Sequence, residues 1–170
     1  MENCSISGFT TRGIDMALGA TGNLYVTDTN ITRVPTGIRV NTTVGQAFAN
    51  LDNVRIENVS GTGAGVEAAT NSFVTIADSM ITRGSATASG VLANTSTSKA
   101  NVLGSWVGFH DGIAIQASAS GAVVRLVDND IMNNNTAISI GAGATVESDG
   151  TNRVAGFGLN TPPNGVITPQ

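Results

Sequence analysis

The sequence predicts an all-β protein: a right-handed, single-stranded parallel β-helix, a solenoid of six to seven coils of about 25 residues each. Three observations predict it. An apolar residue, a small turn former two places on and an aliphatic residue five places on recur at a near-constant interval. Apolar residues two apart occur three times within each interval, the period of a strand with one buried face. Charged residues make up only 12% of the chain while glycine numbers 21, a composition that favours turns over solvated helices.

The first marker is Met1, Asn3 and Ile6, followed by Val26, Asp28 and Ile31, then Leu51, Asn53 and Ile56. Ile76, Asp78 and Ile81 continue it, then Val102, Gly104 and Val107, and Leu126, Asp128 and Ile131. The leading positions 1, 26, 51, 76, 102 and 126 are spaced by 25, 25, 25, 26 and 24. Their second members, Asn3, Asp28, Asn53, Asp78 and Asp128 with Gly104, form a structural turn ladder. Those residue types accept left-handed backbone and bond neighbouring backbone groups.

A second marker pairs a small residue with an aliphatic one: Gly13-Ile14, Gly37-Ile38, Gly65-Val66, Gly90-Val91, Gly112-Ile113 and Ala137-Ile138. Glycine there implies positive φ or a close approach of backbones. A third alternation precedes each new interval: Leu24/Val26, Ala49/Leu51, Val74/Ile76, Ala100/Val102, Val124/Leu126 and Ala144/Val146. Each coil therefore holds three short strands, and stacking coil on coil closes a common core. The segments 17–23, 41–47, 94–99 and 116–122 vary most in length, and such variation gathers on one face of a solenoid. Residues 1–150 are expected to form the coils, and 151–170, with Pro162, Pro163 and Pro169, a C-terminal cap or tail of the same domain. The N-terminal coil has no such cap, which predicts head-to-tail self-association through it. The pattern is already running at Met1, with no signal peptide ahead of it. Met1 therefore reads as an added start and the chain as a piece of a longer protein.

Charge and composition exclude several classes. The net charge of −4 and the lack of any Lys/Arg cluster argue against nucleic-acid and anionic-membrane partners. No run of 18 apolar residues is present, so no membrane span is expected. Cys4 is the sole cysteine, which rules out an internal disulfide and a cysteine metal site. The rows flanking the turn carry no threonine ladder, so ice binding is rejected.

The pattern of an apolar residue, Asn or Asp two places on, Ile five places on and then Gly-Ile resembles the parallel β-helix repeat of the pectin-lyase-like superfamily, over Met1 to about Val146. The resemblance implies a secreted or cell-surface location and a family that includes polysaccharide lyases, glycoside hydrolases and adhesins. Hydrolases of that family carry a motif like Asn-Thr-Asp-Gly-x-Asp. The nearest match is His110-Asp111-Gly112-Ile113, where Ala114 stands in place of the second acid. Glycosidic cleavage needs two carboxyl groups, so no catalytic residue is assigned. The Asp28, Asp78 and Asp128 row supplies one side chain per coil, too few convergent oxygens for Ca²⁺. No metal and no cofactor are therefore expected.

Trp106, Phe109, His110 and Asp111 lie within one coil and are the candidate ligand-binding residues. Trp106 shares its row with Asn30, Arg55, Met80 and Asp130, a mostly polar set, so it should face outward. Asp15, Arg39 and Glu67 should stack as an outer charge ladder. The function expected is a non-enzymatic structural or binding module of a larger secreted or cell-surface bacterial protein, an adhesion or display scaffold. Its partner would be a polysaccharide or another surface protein. The alternatives are a carbohydrate-active enzyme fragment, lyase or hydrolase, and a weak glycan-binding face around Trp106.

Overall fold

A computed structural model describes residues 1–168, so Pro169 and Gln170 of the expected tail lie outside the described residues. The described chain contains no helix, and thus none long and apolar enough to cross a membrane. Its strands form three parallel sheets of seven, six and seven strands, wound as a parallel β-solenoid. The first sheet runs from Ser5–Ser7 to Arg153–Ala155, the second from Arg12–Leu18 to Thr136–Ile140, and the third from Gly22–Thr27 to Gly165–Val166.

Like stacks on like. In the first sheet Ile6, Ile31, Ile56, Ile81, Val107, Ile131 and Val154 form one inward row. In the third sheet Val26, Leu51, Ile76, Val102 and Leu126 form another, each at most 1% exposed. The small residues of the second marker pack against the first of these rows. A methyl group on Gly13 would meet Ile31 Cγ2 at 2.7 Å and the Gly37 carbonyl oxygen at 2.8 Å. On Gly90 it would meet Val107 Cγ1 and the Ala114 carbonyl oxygen, both at 2.6 Å. These glycines have ordinary φ, so close approach selects them.

The pairing corrects two sequence assignments. Val91 pairs with Ile115 and Ile115 with Ile138, so the fifth coil's small-aliphatic pair is Ala114-Ile115, not Gly112-Ile113. Gly112 sits in the preceding loop. Likewise Val146 stacks on Val124 rather than on Leu126, whose partner is Ser148. The second slip reflects a second-to-third connection one residue shorter from Ile138 to Ser148 than from Ile115 to Leu126, and the first has a visible cause. The connection from first to second sheet takes seven residues from Ile131 to Ile138 but ten from Ile56 to Val66. Length variation is thus not confined to the loops before the third sheet.

One corner does not vary. From third to first sheet each of five coils advances five residues, as from Val26 to Ile31 and Leu126 to Ile131. Asn3, Asp28, Asn53, Asp78, Gly104 and Asp128 all have φ between 47° and 55° there, the left-handed conformation expected of the turn ladder. Asn53 Nδ2 also donates to Asp28 Oδ1 at 2.5 Å. Immediately after this row runs a second ladder, Cys4, Thr29, Val54, Ser79, Ser105, Asn129 and Asn152, whose polar side chains are mostly buried. Ser79 Oγ accepts the Val54 N–H at 3.0 Å and donates to its own coil's Ala77 carbonyl at 2.7 Å. Ser105 Oγ accepts the Ser79 N–H at 3.1 Å. Asn129 Oδ1 accepts the Ser105 N–H at 3.0 Å, while its Nδ2 donates to the Val102 carbonyl at 2.8 Å.

The described part of the C-terminal segment stays within the solenoid. Arg153–Ala155 pairs with Asp130–Met132, Leu159 bridges Thr136, and Gly165 pairs with Glu147. This last coil closes in 18 residues rather than 25 and so tapers the stack.

Two substitutions test this frame. Ile76→Asp should abolish the β signal in far-UV circular dichroism. It buries an unpaired carboxylate at several kcal/mol, comparable to a domain's whole stability; a variant that melts like the parent would refute the register. Asn129→Ala strips the acceptor from the buried Ser105 N–H. It should lower stability by about 1–3 kcal/mol in urea denaturation with little change in slope.

Candidate functional site

The outer face of the first sheet follows from its alternation. Trp106 pairs with Met80 on one side and Asp130 on the other, and Met80 with Arg55, as the repeat predicts. The indole is half-buried and lies over Gly108, where an added methyl would meet Nε1 at 2.5 Å. Its ring centroid is 5.8 Å from that of Phe109, with the planes tilted by 57°. Phe109 is 48% exposed, so one coil presents a two-ring aromatic cluster to solvent. Asp111 is also exposed.

His110 does not join them. Its side chain is 1% exposed and points into the core. Phe109 has φ 56°, and this left-handed residue turns the chain so that the next side chain faces inward. His110 occupies the place held by Val34 and Val59 in earlier coils and by Asn134 in the next. Gly84 in the adjacent coil leaves room for the ring; a methyl there would collide with Nδ1. Nδ1 accepts the Gly84 N–H at 3.1 Å, which places the ring proton on Nε2, facing the Ile81 carbonyl at 3.2 Å. Asn134 repeats this geometry one coil on: its Oδ1 accepts the His110 N–H at 3.0 Å and its Nδ2 donates to the Val107 carbonyl at 3.2 Å. His110 therefore acts as a neutral substitute for a buried amide. Burial holds its pKa below the ordinary value, with the Ile81 carbonyl and the Asp111 charge pulling the other way.

The surface around the two rings is hollowed. A shallow groove of about 500 Å³ is lined by Asn58, Ser60, Arg83, Ser85, Phe109 and Asp111. A smaller hollow of about 200 Å³ adjoins it between Arg55, Met80, Arg83, Trp106 and Phe109. A third, of about 300 Å³, lies beyond Trp106 against Asp78 and Gly104. Sequence reasoning overlooked Arg83, Asn58 and Ser60. The signal for Arg83 and Asn58 lay in one turn row, Gly8, Arg33, Asn58, Arg83, Phe109, Asn133 and Gly156, which becomes visible only once the coils are aligned.

Charges on this face are partly paired. Arg55 Nη2 donates to Glu57 Oε1 at 2.8 Å, and this bond holds the Glu57 carboxyl below the usual carboxylate range. Arg153 grips Asp130 at 2.5 Å. Among the described residues Arg83 and Arg33 take part in no ion pair. On the second sheet Arg39 lies 3.8 Å from Asp15 and 3.5 Å from Glu67, the expected charge ladder. No three His, Cys, Asp or Glu side chains converge on a metal-sized site among the described residues.

The chain matches no family model, no curated protein and no solved structure.

The amide-like role of His110 gives a pH test with a fixed sign. The folded protein holds the imidazole neutral, with a pKa below the unfolded value near 6.5. Its contribution to stability is therefore full above about pH 6.5. It is lost as pH falls from there toward the depressed folded value. The melting temperature should drop across that window in the parent, whereas His110→Asn, which copies Asn134, should fold and lose that part of the slope. Identical pH profiles for the two proteins would refute the assignment.

Proposed function

We propose that this chain is a non-enzymatic structural or binding module, an adhesion or display scaffold within a larger secreted or cell-surface bacterial protein. The observation that carries the reading is the axial ladder at the third-to-first corner. It ties coil to coil through side-chain bonds at every step but the one from Thr29 to Val54, and leaves the outward rows free to differ from coil to coil. A rod of that kind holds surface groups at fixed spacing. The repeat's likeness to the pectin-lyase-like superfamily supports the extracellular setting, since many members of that superfamily are secreted.

A second reading, a glycan-binding face, is favoured by one specific observation: three adjoining hollows surround Trp106 and Phe109. Aromatic rings offer apolar surface to sugar faces, and Asp111 with Arg83 offers an acceptor and donors for hydroxyls. The enzyme alternative asks more of the same place. Hydrolysis of a glycosidic bond takes two carboxyl groups across the scissile link, and on this face the Glu57 carboxylate is bound by Arg55 and that of Asp130 by Arg153.

One experiment separates the readings. Migration of the chain through gels containing neutral and acidic polysaccharides is measured alongside the release of new reducing or unsaturated ends. Retardation without new ends is expected. Trp106→Ala should weaken that retardation about tenfold and leave the melting temperature nearly unchanged. New chain ends from any substrate would overturn the non-enzymatic reading.

A further inference from the structure

We propose that the corner carrying Arg33, Arg83 and Phe109 binds sulfate esters on an extended polysaccharide. The proposal rests on the reading of this face as a display surface and names the ligand displayed to.

The first support is backbone conformation. Among the described residues eleven other than glycine have positive φ, and eight of them are Asn or Asp. The other three are Arg33 at 57°, Arg83 at 60° and Phe109 at 56°. All three stand in one turn row, whose remaining members are Gly8, Asn58, Asn133 and Gly156, also left-handed. Left-handed backbone disfavours large side chains. Turn geometry alone would select Asn or Gly in this row, so something other than the turn selects two arginines and a phenylalanine.

The second support is the groove beside them. Arg83 brings a guanidinium free of ion pairs among the described residues. Asn58 gives one amide N–H to Thr32 Oγ1 at 3.3 Å and keeps the other. The Ser60 hydroxyl is exposed. These three donors line one hollow and match the three terminal oxygens of a sulfate ester better than the two of a carboxylate. Ser85 Oγ, whose proton goes to the Gly61 carbonyl at 2.8 Å, and Asp111 remain as acceptors for sugar hydroxyls. The exposed Phe109 ring supplies apolar contact.

Spacing sets the polymer. Arg33 and Arg83 are two coils apart in the row, about 10 Å along the axis at the spacing of neighbouring strands. A chain lying along the rod with a sulfate on alternate sugars would reach both. The protein carries a net charge of −4, and Asp111 and Glu57 lie on the same face, so attraction to a polyanion has to come from this corner.

The test compares gels containing dextran sulfate, alginate and plain dextran, with the full chain. Strong retardation by dextran sulfate that weakens with added salt is expected, with little by alginate and none by dextran. Arg83→Asn, which copies the neighbouring Asn58, should weaken binding about tenfold. It should also raise the melting temperature by ~2 °C, because Asn suits the left-handed backbone. Unchanged binding in Arg83→Asn would overturn the site, and a lowered melting temperature would overturn the conformational premise. Equal retardation by alginate would overturn the choice of sulfate. Loss of binding in Trp106→Ala with none in Arg83→Asn would leave the display face standing and remove this site from it.

Discussion

The structure depends on a hydrogen bond that runs along the rod rather than within a coil. At the third-to-first corner a left-handed residue interrupts the strand ladder, and the backbone N–H that follows needs an acceptor inside the core. The side chain one coil on provides it: Ser79 to Val54, Ser105 to Ser79, Asn129 to Ser105. Five coils in succession make this corner in five residues, including the one where Val54 offers the Thr29 N–H no side-chain acceptor, and Asn152 accepts the Asn129 N–H at 2.9 Å across a corner of six. Constant length fixes the register on both sides of the corner. The inward columns through Ile31 and Leu51 then stack like on like and bury their methyl groups against one another.

Three chemistries satisfy the same geometry. Serine and threonine accept from the neighbouring coil and donate to a carbonyl two residues back in their own. Asparagine accepts in the same way but donates across the coil gap, joining the stack at two points. His110 does what asparagine does, with imidazole nitrogens in place of amide oxygen and nitrogen. Only the imidazole can titrate, so the one group that couples this core to pH is the one that stands in for an amide. Its partner position, Gly84, shows the condition for the exchange: a ring fits where the adjacent coil has no side chain.

Sequence and structure agree where a residue's type answers to a single demand. The aliphatic columns and the Asn and Asp turn row answer to burial and to left-handed backbone, and both are readable from spacing alone. The buried ladder is less visible because Thr29, Ser79, Ser105 and Asn129 share no single character and Val54 interrupts them; only alignment exposes their common task. Gly112-Ile113 misleads for a related reason. Glycine followed by isoleucine is a weak pattern, and a loop of variable length lets it imitate the true pair, Ala114-Ile115. Proximity in sequence groups His110 with its exposed neighbours, as if adjacent residues shared a face. The left-handed Phe109 between them breaks that assumption, and no periodicity announces it. Of the candidate surface residues, Trp106 is legible since it lies in a regular strand, whereas Arg83 lies in a turn that the repeat does not constrain to any one residue.

That asymmetry says where function should be sought in such a fold. The repeat encodes the interior, because stacking punishes any coil that departs from it. Outward positions have no such restraint, and most are filled with small polar residues that ask little of the backbone. A position where the backbone does ask for Asn or Gly, yet holds a large residue, is therefore more informative than an exposed residue in a strand. Arg33, Arg83 and Phe109 are such positions, and they border the same hollowed face that Trp106 marks from the strand side. Two independent signs, a residue out of keeping with its backbone and a ring out of keeping with its row, thus converge on one side of the rod.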